Sequence, residues 1–359
     1  MQPNLALLKD FNQTIFQEKR SALLDRLTAH WQRNNPLKGI KILHNTPLTY
    51  ETLVKLESLI AAGAELTVTH TAFTPVPPEE KILSTLRQAG INVILSHRDV
   101  QGDFDIALDC CAETLEMEKV RVLRGIVELT QTGGEKYKRM SLDLPIINVD
   151  DSNLKKLEGM YGTGESFVRA IKELTGEEIV NKSFVIFGFG KVGKGIVRYL
   201  LRETPHISVI ESSQIQLNQA KKLGLITIPF SDAAQIRNHV REAFCIVTAT
   251  GKANVLSQVV TQSDCQSAYI ANMGTYDEIG DQIQTKKILC NKIAINFSLK
   301  HPTLLNYIDP VFYAHNVAAQ LLLENQYENK YYPFPSYLDD LIIDLWKTQN
   351  CVDINDIYD

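Results

Sequence analysis

The sequence predicts an α/β protein with two doubly wound parallel-sheet domains. Three observations support this fold class. The chain has 359 residues, enough for two domains that each bury a core. From Gly39 onward, short β-branched runs alternate with segments whose apolar residues recur at helical spacing, which is typical of parallel sheets covered by helices on both faces. One such run leads into the glycine pattern GFGKVG at residues 188–193.

The predicted elements follow this alternation along the chain. In the first half, the predicted strands are β-branched runs at 40–44, 66–69, 91–95 and 105–109. Helical periodicity predicts helices at 50–61, 78–88 and 118–129. In the second half, strands are predicted at 183–187, 207–210, 226–228, 244–247, 268–271 and 293–297. The helices there are predicted at 214–223, 233–243, 311–325 and 338–346, with the segment YYPFP at 331–335 as a loop before the last of them.

Composition excludes several classes of protein. Hydrophobic residues make up 44% of the chain and charged residues 22%, with a formal net charge of −5, so neither nucleic acid nor an anionic membrane is expected as a partner. We find no secretory signal and no apolar run long enough to cross a bilayer. The six cysteines form no C-x-x-C pair, which favours reduced thiols, a cytoplasmic location and no metal site.

The glycine pattern predicts a Rossmann domain that binds NAD. A strand, a G-x-G-x-x-G turn and a helix form the dinucleotide fingerprint, in which the middle glycine lets a pyrophosphate approach the backbone. Glu211 ends the next predicted strand, at the spacing of the acid that binds the ribose hydroxyls, and it would repel a 2′-phosphate. The alternative is a glycine-rich turn in an unrelated α/β domain. The turn residues predicted to hold the cofactor are Gly188, Gly190, Lys191, Val192 and Gly193.

Several segments resemble the S-adenosylhomocysteine hydrolase (adenosylhomocysteinase) family. They are PLTYETLVKLESLIAAGAELTVTH, INVDDSNLKKLEGMYGTGES, GFGKVGKG, TATGKANV and IANMGTYDEIGD, in the order and rough spacing of that family. The resemblance covers about residues 36–345 and implies a tightly bound NAD that oxidises a ribose hydroxyl of the substrate. It also implies a discontinuous substrate domain at 1–157 and 302–359, and an NAD-binding domain with hinges at 158–301.

The resemblance implies roles for individual residues. Lys155, with a pKa lowered by burial, and Glu158 would take the hydroxyl proton. Further cofactor contacts would come from Thr130, Thr132, Thr250, Asn272 and Asn296. Thr49, Glu51 and His301 would bind substrate, although Thr49 is also typical of the N-cap of the helix that follows it.

The same resemblance indicates where the sequence departs from the family. Proton-transfer or acidic residues of the family are replaced by Pro47, Cys110, Leu129 and Thr275, and the basic, aromatic C-terminal tail is absent. The sequence therefore favours an adenosylhomocysteinase-like NAD protein that oxidises a hydroxyl of a nucleoside-like or sugar-like ligand. Two alternatives remain open, a true adenosylhomocysteinase and a catalytically silent NAD-binding paralogue with a regulatory or sensing role. A homodimer is expected, held by the C-terminal helices.

Overall fold

The computed structural model describes residues 3–17, 21–350 and 354. The chain separates into two compact units, which we call the first unit (Met1–Glu158 and Leu304–Asp359) and the second unit (Gly159–Thr303). None of the helices in the described residues is long and apolar enough to cross a membrane.

The strands and helices alternate along most of the chain. The strands are β1 Lys41–Asn45, β2 Glu65–His70, β3 Asn92–Ser96, β4 Gly102–Asp109, β5 Val120–Glu128, β6 Ile146–Asn148, β7 Phe184–Phe187, β8 Ile207–Glu211, β9 Ile226–Pro229, β10 Cys245–Thr248, β11 Tyr269–Asn272 and β12 Tyr331–Pro333. The helices are α1 Leu5–Phe16, α2 Ala22–Asn34, α3 Tyr50–Ala61, α4 Glu80–Gln88, α5 Gln131–Lys138, α6 Asn153–Leu157, α7 Gly164–Thr175, α8 Lys191–Leu200, α9 Gln214–Lys222, α10 Ala233–Arg241, α11 Leu305–Glu324 and α12 Ser336–Asn350.

The sheet of the first unit is parallel throughout its described strands, in the order β12-β6-β5-β4-β1-β2-β3. The chain runs outward from β1 through β2 and β3, then returns to the other side of β1 as β4. The strand order therefore reverses between β1 and β4. In an open α/β sheet, the crevice beyond the carboxyl ends of the strands at such a reversal is where ligands bind.

Two expectations for the first unit were wrong. The segment predicted as a helix at 118–129 contains the strand Val120–Glu128, because its apolar and charged residues alternate with a period near two and its last four residues are all buried. The YYPFP segment, predicted as a loop, contributes the strand Tyr331–Pro333, which pairs with Ile146–Asn148 at the edge of the sheet. An edge strand tolerates the missing N–H of Pro333.

The sheet of the second unit is also parallel, with its described strands in the order β11-β10-β7-β8-β9. Its central strand β7 is buried on both faces, because Phe184 and Ile186 belong to one apolar core while Val185 and Phe187 belong to another. The order reverses between β7 and β10. The predicted α/β class with doubly wound parallel sheets is therefore confirmed.

One strand predicted in the second unit is absent from the described residues. The segment 293–297 forms a single bridge, between Ala294 and Asn272, followed by a short 3₁₀ turn at Ile295–Ser298. The predicted hinge segment 158–166 is helical, with a π-helical turn at Glu158–Thr163 that continues into α7.

Candidate cofactor and substrate sites

The three glycines of the turn at 188–193 have different surroundings. Gly188 follows β7 with φ +96°, a conformation that disfavours other residues. A Cβ atom on Gly193 would lie 2.1 Å from the carbonyl oxygen of Gly188, so the start of α8 packs directly on the turn. A Cβ on Gly190 would meet nothing within 4 Å. The middle glycine therefore borders open space, as required where a ligand approaches the backbone.

The N-terminus of α8 is suited to an anion. Gly190 is its N-cap and makes no side-chain capping bond, and no acid lies in the first turn. Lys191 and Val192 form the first helical positions, directly after the open space at Gly190. Because the first N–H groups of a helix lack intrahelical acceptors and carry the positive end of its dipole, this turn can hold a pyrophosphate.

Glu211 lies at the end of β8 and is fixed against the glycine turn. Its carboxylate accepts hydrogen bonds from the backbone N–H groups of Phe189 (2.9 Å), Ser212 (2.6 Å) and Ser213 (2.9 Å). Burial raises the pKa of Glu211, but the hydrogen bonds from Ser213, Phe189 and Ser212 outweigh it and leave the pKa below its ordinary value. Glu211 is therefore ionised at neutral pH, and its charge disfavours a 2′-phosphate.

The predicted residues Thr250, after β10, and Asn272, at the end of β11, each make hydrogen bonds to the loop that follows β11. Thr250 donates its backbone N–H (2.8 Å) and its hydroxyl (2.9 Å) to the carboxylate of Glu278, which sequence reasoning missed. The Asn272 side chain donates to the carbonyls of Tyr276 and Lys292, each at 2.7 Å, and accepts from the backbone N–H of Gly274 at 2.9 Å. The side chain of Asn272 thus shapes the loop that follows β11.

The remaining predicted residues of the second unit lie near its C-terminal end. The Asn296 side chain is buried and donates a long bond of 3.4 Å to the carbonyl of Pro302. The backbone carbonyl of His301 accepts a hydrogen bond from Arg169 at 3.0 Å. Thr275 is half-buried.

Lys155 lies on α6, in the first unit, and pairs with Glu158. The Lys155 ammonium contacts the Glu158 carboxylate, and the two side chains are only 16% and 11% exposed. Burial lowers the pKa of Lys155, but the charges of Glu158 and Asp150 outweigh it and raise the pKa above its ordinary value. The sequence-based expectation of a lowered pKa was therefore wrong, because it left out the carboxylate beside the amine. Lys155 is a cation at neutral pH.

The other predicted residues of the first unit lie at helix starts. Thr49 caps α3 through a reciprocal pair of 3.4 Å bonds with Thr52, which is the role weighed as the alternative, and Glu51 is buried in the first turn. Thr130 caps α5 by accepting from the N–H of Gly133 at 3.1 Å. Thr132 is half-buried in the first turn of α5.

Two buried carboxylates at strand ends were not predicted as site residues. Asp109, at the end of β4, accepts from Asn45 at 2.8 Å across the reversal of strand order. Glu128, at the end of β5, accepts from the N–H and the hydroxyl of Thr130 at 2.8 and 2.6 Å. Burial and the charge of Asp109 raise the pKa of Glu128 to about 8. Sequence reasoning missed Glu128 because it lies in the segment that was wrongly predicted as a helix.

A group of buried basic side chains lies in the first unit and was also missed. The Lys55 amine on α3 is 2.9 Å from Nε2 of His44, and both residues are fully buried. Burial drives the pKa of Lys55 well below its ordinary value, and burial together with Lys55 does the same for the pKa of His44. His315 on α11 is equally buried, with its Nε2 3.0 Å from the carbonyl of Val127. The sequence feature that could have revealed this group is the lysine within the apolar stretch TLVKLESLI.

Three residues that the sequence resemblance indicated as departures from the family offer no ionised side chain at neutral pH. Cys110 follows β4 and is buried, and burial and the charge of Glu128 raise the pKa of its thiol well above the ordinary value. Leu129 is buried at the end of β5. The carbonyl oxygen of Pro47 accepts a hydrogen bond from the Thr52 hydroxyl at 2.5 Å, which is a structural role at the start of α3.

Comparison with known proteins shows which family the NAD-binding segment matches. Residues 159–307, which include the glycine turn and Glu211, match the family described as S-adenosyl-L-homocysteine hydrolase, NAD binding domain. This segment therefore carries the NAD-binding domain of that family, and adenosylhomocysteinases are similar to the chain over most of its length. NAD is the cofactor of this adenosylhomocysteinase-like chain, and the open space at Gly190, the uncapped start of α8 and the ionised Glu211 fit it.

Relatives within the superfamily are distant. The chain is 27% identical to the adenosylhomocysteinase of Thermotoga maritima, over 71% of this chain and 67% of that protein. It is 25% identical to the adenosylhomocysteinase of Thermococcus kodakarensis, over 79% and 70% of the two chains. It is also 25% identical to the S-inosyl-L-homocysteine hydrolase of Methanopyrus kandleri, over 71% of this chain and 64% of that one.

A solved structure shares the fold. The crystal structure of a dipicolinate synthase chain from Bacillus halodurans matches with a TM-score of 0.52 at 12% identity, over 80% of this chain and all of that one. At this identity the match supports the α/β architecture alone.

Proposed function

We propose that this adenosylhomocysteinase-like protein oxidises a hydroxyl group of a nucleoside-like or sugar-like ligand. In this proposal the second unit binds NAD and the first unit binds the ligand. The observation that carries the proposal is the buried pair of Lys155 and Glu158, which joins an ammonium and a carboxylate at the end of α6. Burying a charge pair costs desolvation energy, which the attraction between the charges repays only when their geometry is good. Because ionisable groups in such environments cluster at functional sites, the pair favours a functional role.

The charges of the two residues suggest which role each has in the proposed oxidation. Bound NAD supplies a hydride acceptor. The Lys155 ammonium would donate a hydrogen bond to the ligand's hydroxyl oxygen and stabilise the negative charge that develops there. The Glu158 carboxylate, as the member with free lone pairs, would accept the hydroxyl proton. This differs from the sequence-based expectation, in which Lys155 itself took the proton, because its pKa is raised.

The ligand class is proposed from the relatives and from the first unit. Relatives that are similar to this chain over most of its length are named for hydrolysis of adenosyl and inosyl thioethers, so purine nucleosides with either base are the first candidates. The family's proton-transfer groups are replaced by Pro47, Cys110 and Thr275, which cannot ionise or are buried as neutral groups. Oxidation without completed hydrolysis is therefore the activity that we favour.

The test uses the purified protein. Its bound nucleotide is identified by mass, and adenosine, inosine, S-adenosylhomocysteine and S-inosylhomocysteine are then added while NADH absorbance and free thiol are recorded. NADH formation without thiol release is the expected result. Thiol release would instead support a true hydrolase. NAD binding without NADH formation from any of these ligands would contradict the proposal and favour the silent paralogue.

Variants at neighbouring lysines separate chemistry from folding. Lys155→Met removes the cation, and we expect NADH formation to fall by about 10²–10⁴, the range for a lost acid–base or electrostatic group. Lys156→Met is the matched control, since Lys156 is the next residue of the same helix and is half-buried. A Lys155→Met protein that forms NADH at the wild-type rate would remove Lys155 from the reaction.

We also propose a homodimer that involves the C-terminal helices. Support comes from α12, which leaves Tyr337 and Leu341 67% and 53% exposed, four residues apart on one helical face. A sedimentation measurement should give twice the chain mass, and Leu341→Glu should shift the population towards the monomer. A wild-type monomer or tetramer would contradict the proposed dimer.

A further inference from the structure

A single buried carboxylate joins two loops of the second unit. Glu278, in the loop after β11, is fully buried and accepts hydrogen bonds from the loop after β10. The backbone N–H of Gly251 donates to it at 2.6 Å, and the N–H and hydroxyl of Thr250 donate at 2.8 and 2.9 Å. Consecutive N–H groups directed at one anion form the concave arrangement that proteins use to bind negative groups. Here the anion is supplied by the chain itself.

The loop that Glu278 holds lies against the glycine turn. A Cβ atom on Gly188 would be 2.5 Å from the carbonyl oxygen of Ala249 and 3.2 Å from the Cα of Thr250. These two segments follow β7 and β10, where the strand order of this sheet reverses. The position of residues 249–251 therefore sets one side of the crevice at which a dinucleotide binds in such sheets.

Glu278 leaves little space for any other group on the β11 side. A Cβ on Gly274 would lie 1.9 Å from a carboxylate oxygen of Glu278, so the carboxylate is confined between the two loops. The backbone adds to this connection, because Leu256 N–H donates to the carbonyl of Glu278 at 2.9 Å. The carboxylate is thus held in one place.

The charged groups around Glu278 do not neutralise it. The neighbouring Asp277 is paired with Lys292 at 2.9 Å, and Lys292 also contacts Asp281. Lys252 is exposed, and its backbone N–H donates to the Thr250 hydroxyl oxygen at 3.2 Å. Burial raises the pKa of Glu278, and the hydrogen bonds from Thr250 and Gly251 only partly offset that rise.

We propose that Glu278 is a positioning residue whose ionised carboxylate holds residues 249–251 in the arrangement that binds NAD, so that protonation of Glu278 weakens NAD binding. A protonated carboxyl has one oxygen that donates instead of accepting, and the N–H groups of Thr250 and Gly251 then lose part of their shared acceptor. The inference depends on NAD binding and is independent of the proposed oxidation of a nucleoside.

The test is a titration of the protein with NAD at several pH values, followed by intrinsic fluorescence or calorimetry. For the wild type we expect the Kd to rise by about tenfold as the pH falls from about 8 to about 5, which corresponds to one weakened charge-assisted hydrogen bond. Glu278→Gln should have a Kd about tenfold above that of the wild type at pH 8, with little further change at lower pH. Glu242→Gln, an exposed acid of the same unit, should keep the wild-type Kd and its pH dependence.

Two results would overturn the inference. One is a Glu278→Gln protein that keeps the wild-type Kd and pH profile, and the other is a wild-type Kd that does not depend on pH in this range. If Glu278→Gln fails to fold, Thr250→Val removes the 2.9 Å hydroxyl bond to Glu278, together with the 3.2 Å bond that the Lys252 N–H donates to that hydroxyl, and leaves the N–H bonds of Thr250 and Gly251 to Glu278. That variant should move the midpoint of the pH profile to higher pH, because the ionised carboxylate loses a donor, and an unmoved midpoint would refute the proposal.

Discussion

Alanine at Gly190 should mainly weaken NAD binding, whereas alanine at Gly193 should mainly destabilise the fold. Gly190 has φ −78°, which alanine adopts readily, and an added Cβ would meet nothing within 4 Å. Gly193 has no such freedom, because its Cβ would lie 2.1 Å from the oxygen and 2.9 Å from the carbon of the Gly188 carbonyl. These contacts are with backbone, which cannot rotate away as a side chain can.

The magnitudes follow from these distances. Gly190→Ala changes an N-cap glycine to a poorer N-cap residue, so the free energy of unfolding should fall by only about 0.5–1 kcal/mol. Its methyl group would stand where the pyrophosphate approaches, and the Kd for NAD should rise at least about tenfold, or about 1.4 kcal/mol. Gly193→Ala overpacks the turn against α8, which typically costs about 1–3 kcal/mol of unfolding free energy.

The assay is urea unfolding of each variant without NAD, together with NAD titration of the folded protein. Gly190→Ala should unfold near the wild-type midpoint and bind NAD weakly, whereas Gly193→Ala should unfold at a clearly lower urea concentration. A Gly190→Ala protein with wild-type NAD affinity would show that the middle glycine does not face the cofactor. A Gly193→Ala protein as stable as the wild type would refute the packing argument.

Two further predictions concern buried ionisable groups of the first unit and are measured as unfolding free energy against pH. Because the folded pKa of Lys55 lies well below its ordinary value of 10.5, the wild type should lose stability as the pH falls below about 10.5. Lys55→Met should make the pH dependence of the unfolding free energy less steep, whereas Lys119→Met, at an exposed site, should leave it unchanged. An unchanged slope in Lys55→Met would show that the amine is charged in the folded state. The pKa of Glu128 is raised from 4.5 to about 8, so stability should fall as the pH rises from about 4.5 towards 8, and Glu128→Gln should remove on the order of 3–5 kcal/mol of that loss. A wild-type curve that matches that of Glu128→Gln across this range would contradict the raised pKa.

The parts of the structure that were predictable from sequence are those in which a local pattern fixes a local geometry. The strand, turn and helix around GFGKVG need glycine at fixed offsets, and the acid at Glu211 follows from the position of the next strand. Short β-branched runs also located most strands within one or two residues. That pattern and Glu211 already predicted NAD, and the resemblance to the family then supplied the expected substrate class, which neither periodicity nor composition could name.

The parts that were not predictable depend on contacts between distant segments. The strand Val120–Glu128 was predicted as a helix because an apolar run of that length carries both periods, and its pairing with Gly102–Asp109 decides between them. The Asn45 and Asp109 side chains meet across 64 residues of sequence, and Lys55 contacts His44 only because α3 folds back over β1. The missing strand at 293–297 has the same cause, because only one bridge to β11 forms there among the described residues.

Two buried lysines of the first unit differ in charge, and the difference shows what decides the charge of a buried amine. Lys55 has an imidazole as its hydrogen-bond partner, and burial lowers its pKa. Lys155 is also largely buried, but the carboxylate of Glu158 beside it raises its pKa. Burial alone therefore does not predict a neutral lysine, and a carboxylate within contact distance reverses its effect.

The charge on Lys155 leads to a prediction that distinguishes a cation from a base. If Lys155 stabilises negative charge on the ligand's oxygen, Lys155→Arg should keep a positive charge and retain measurably more NADH formation than Lys155→Met, although the larger guanidinium would still lower the rate. If Lys155 instead accepts the hydroxyl proton, arginine fails as completely as methionine, because it does not lose its proton in proteins. The measurement is the initial rate of NADH formation against pH for both variants, with whichever nucleoside gives NADH in the wild type. Equal losses in the two variants, with NAD affinity unchanged, would refute the cationic role and return Lys155 to the role of base.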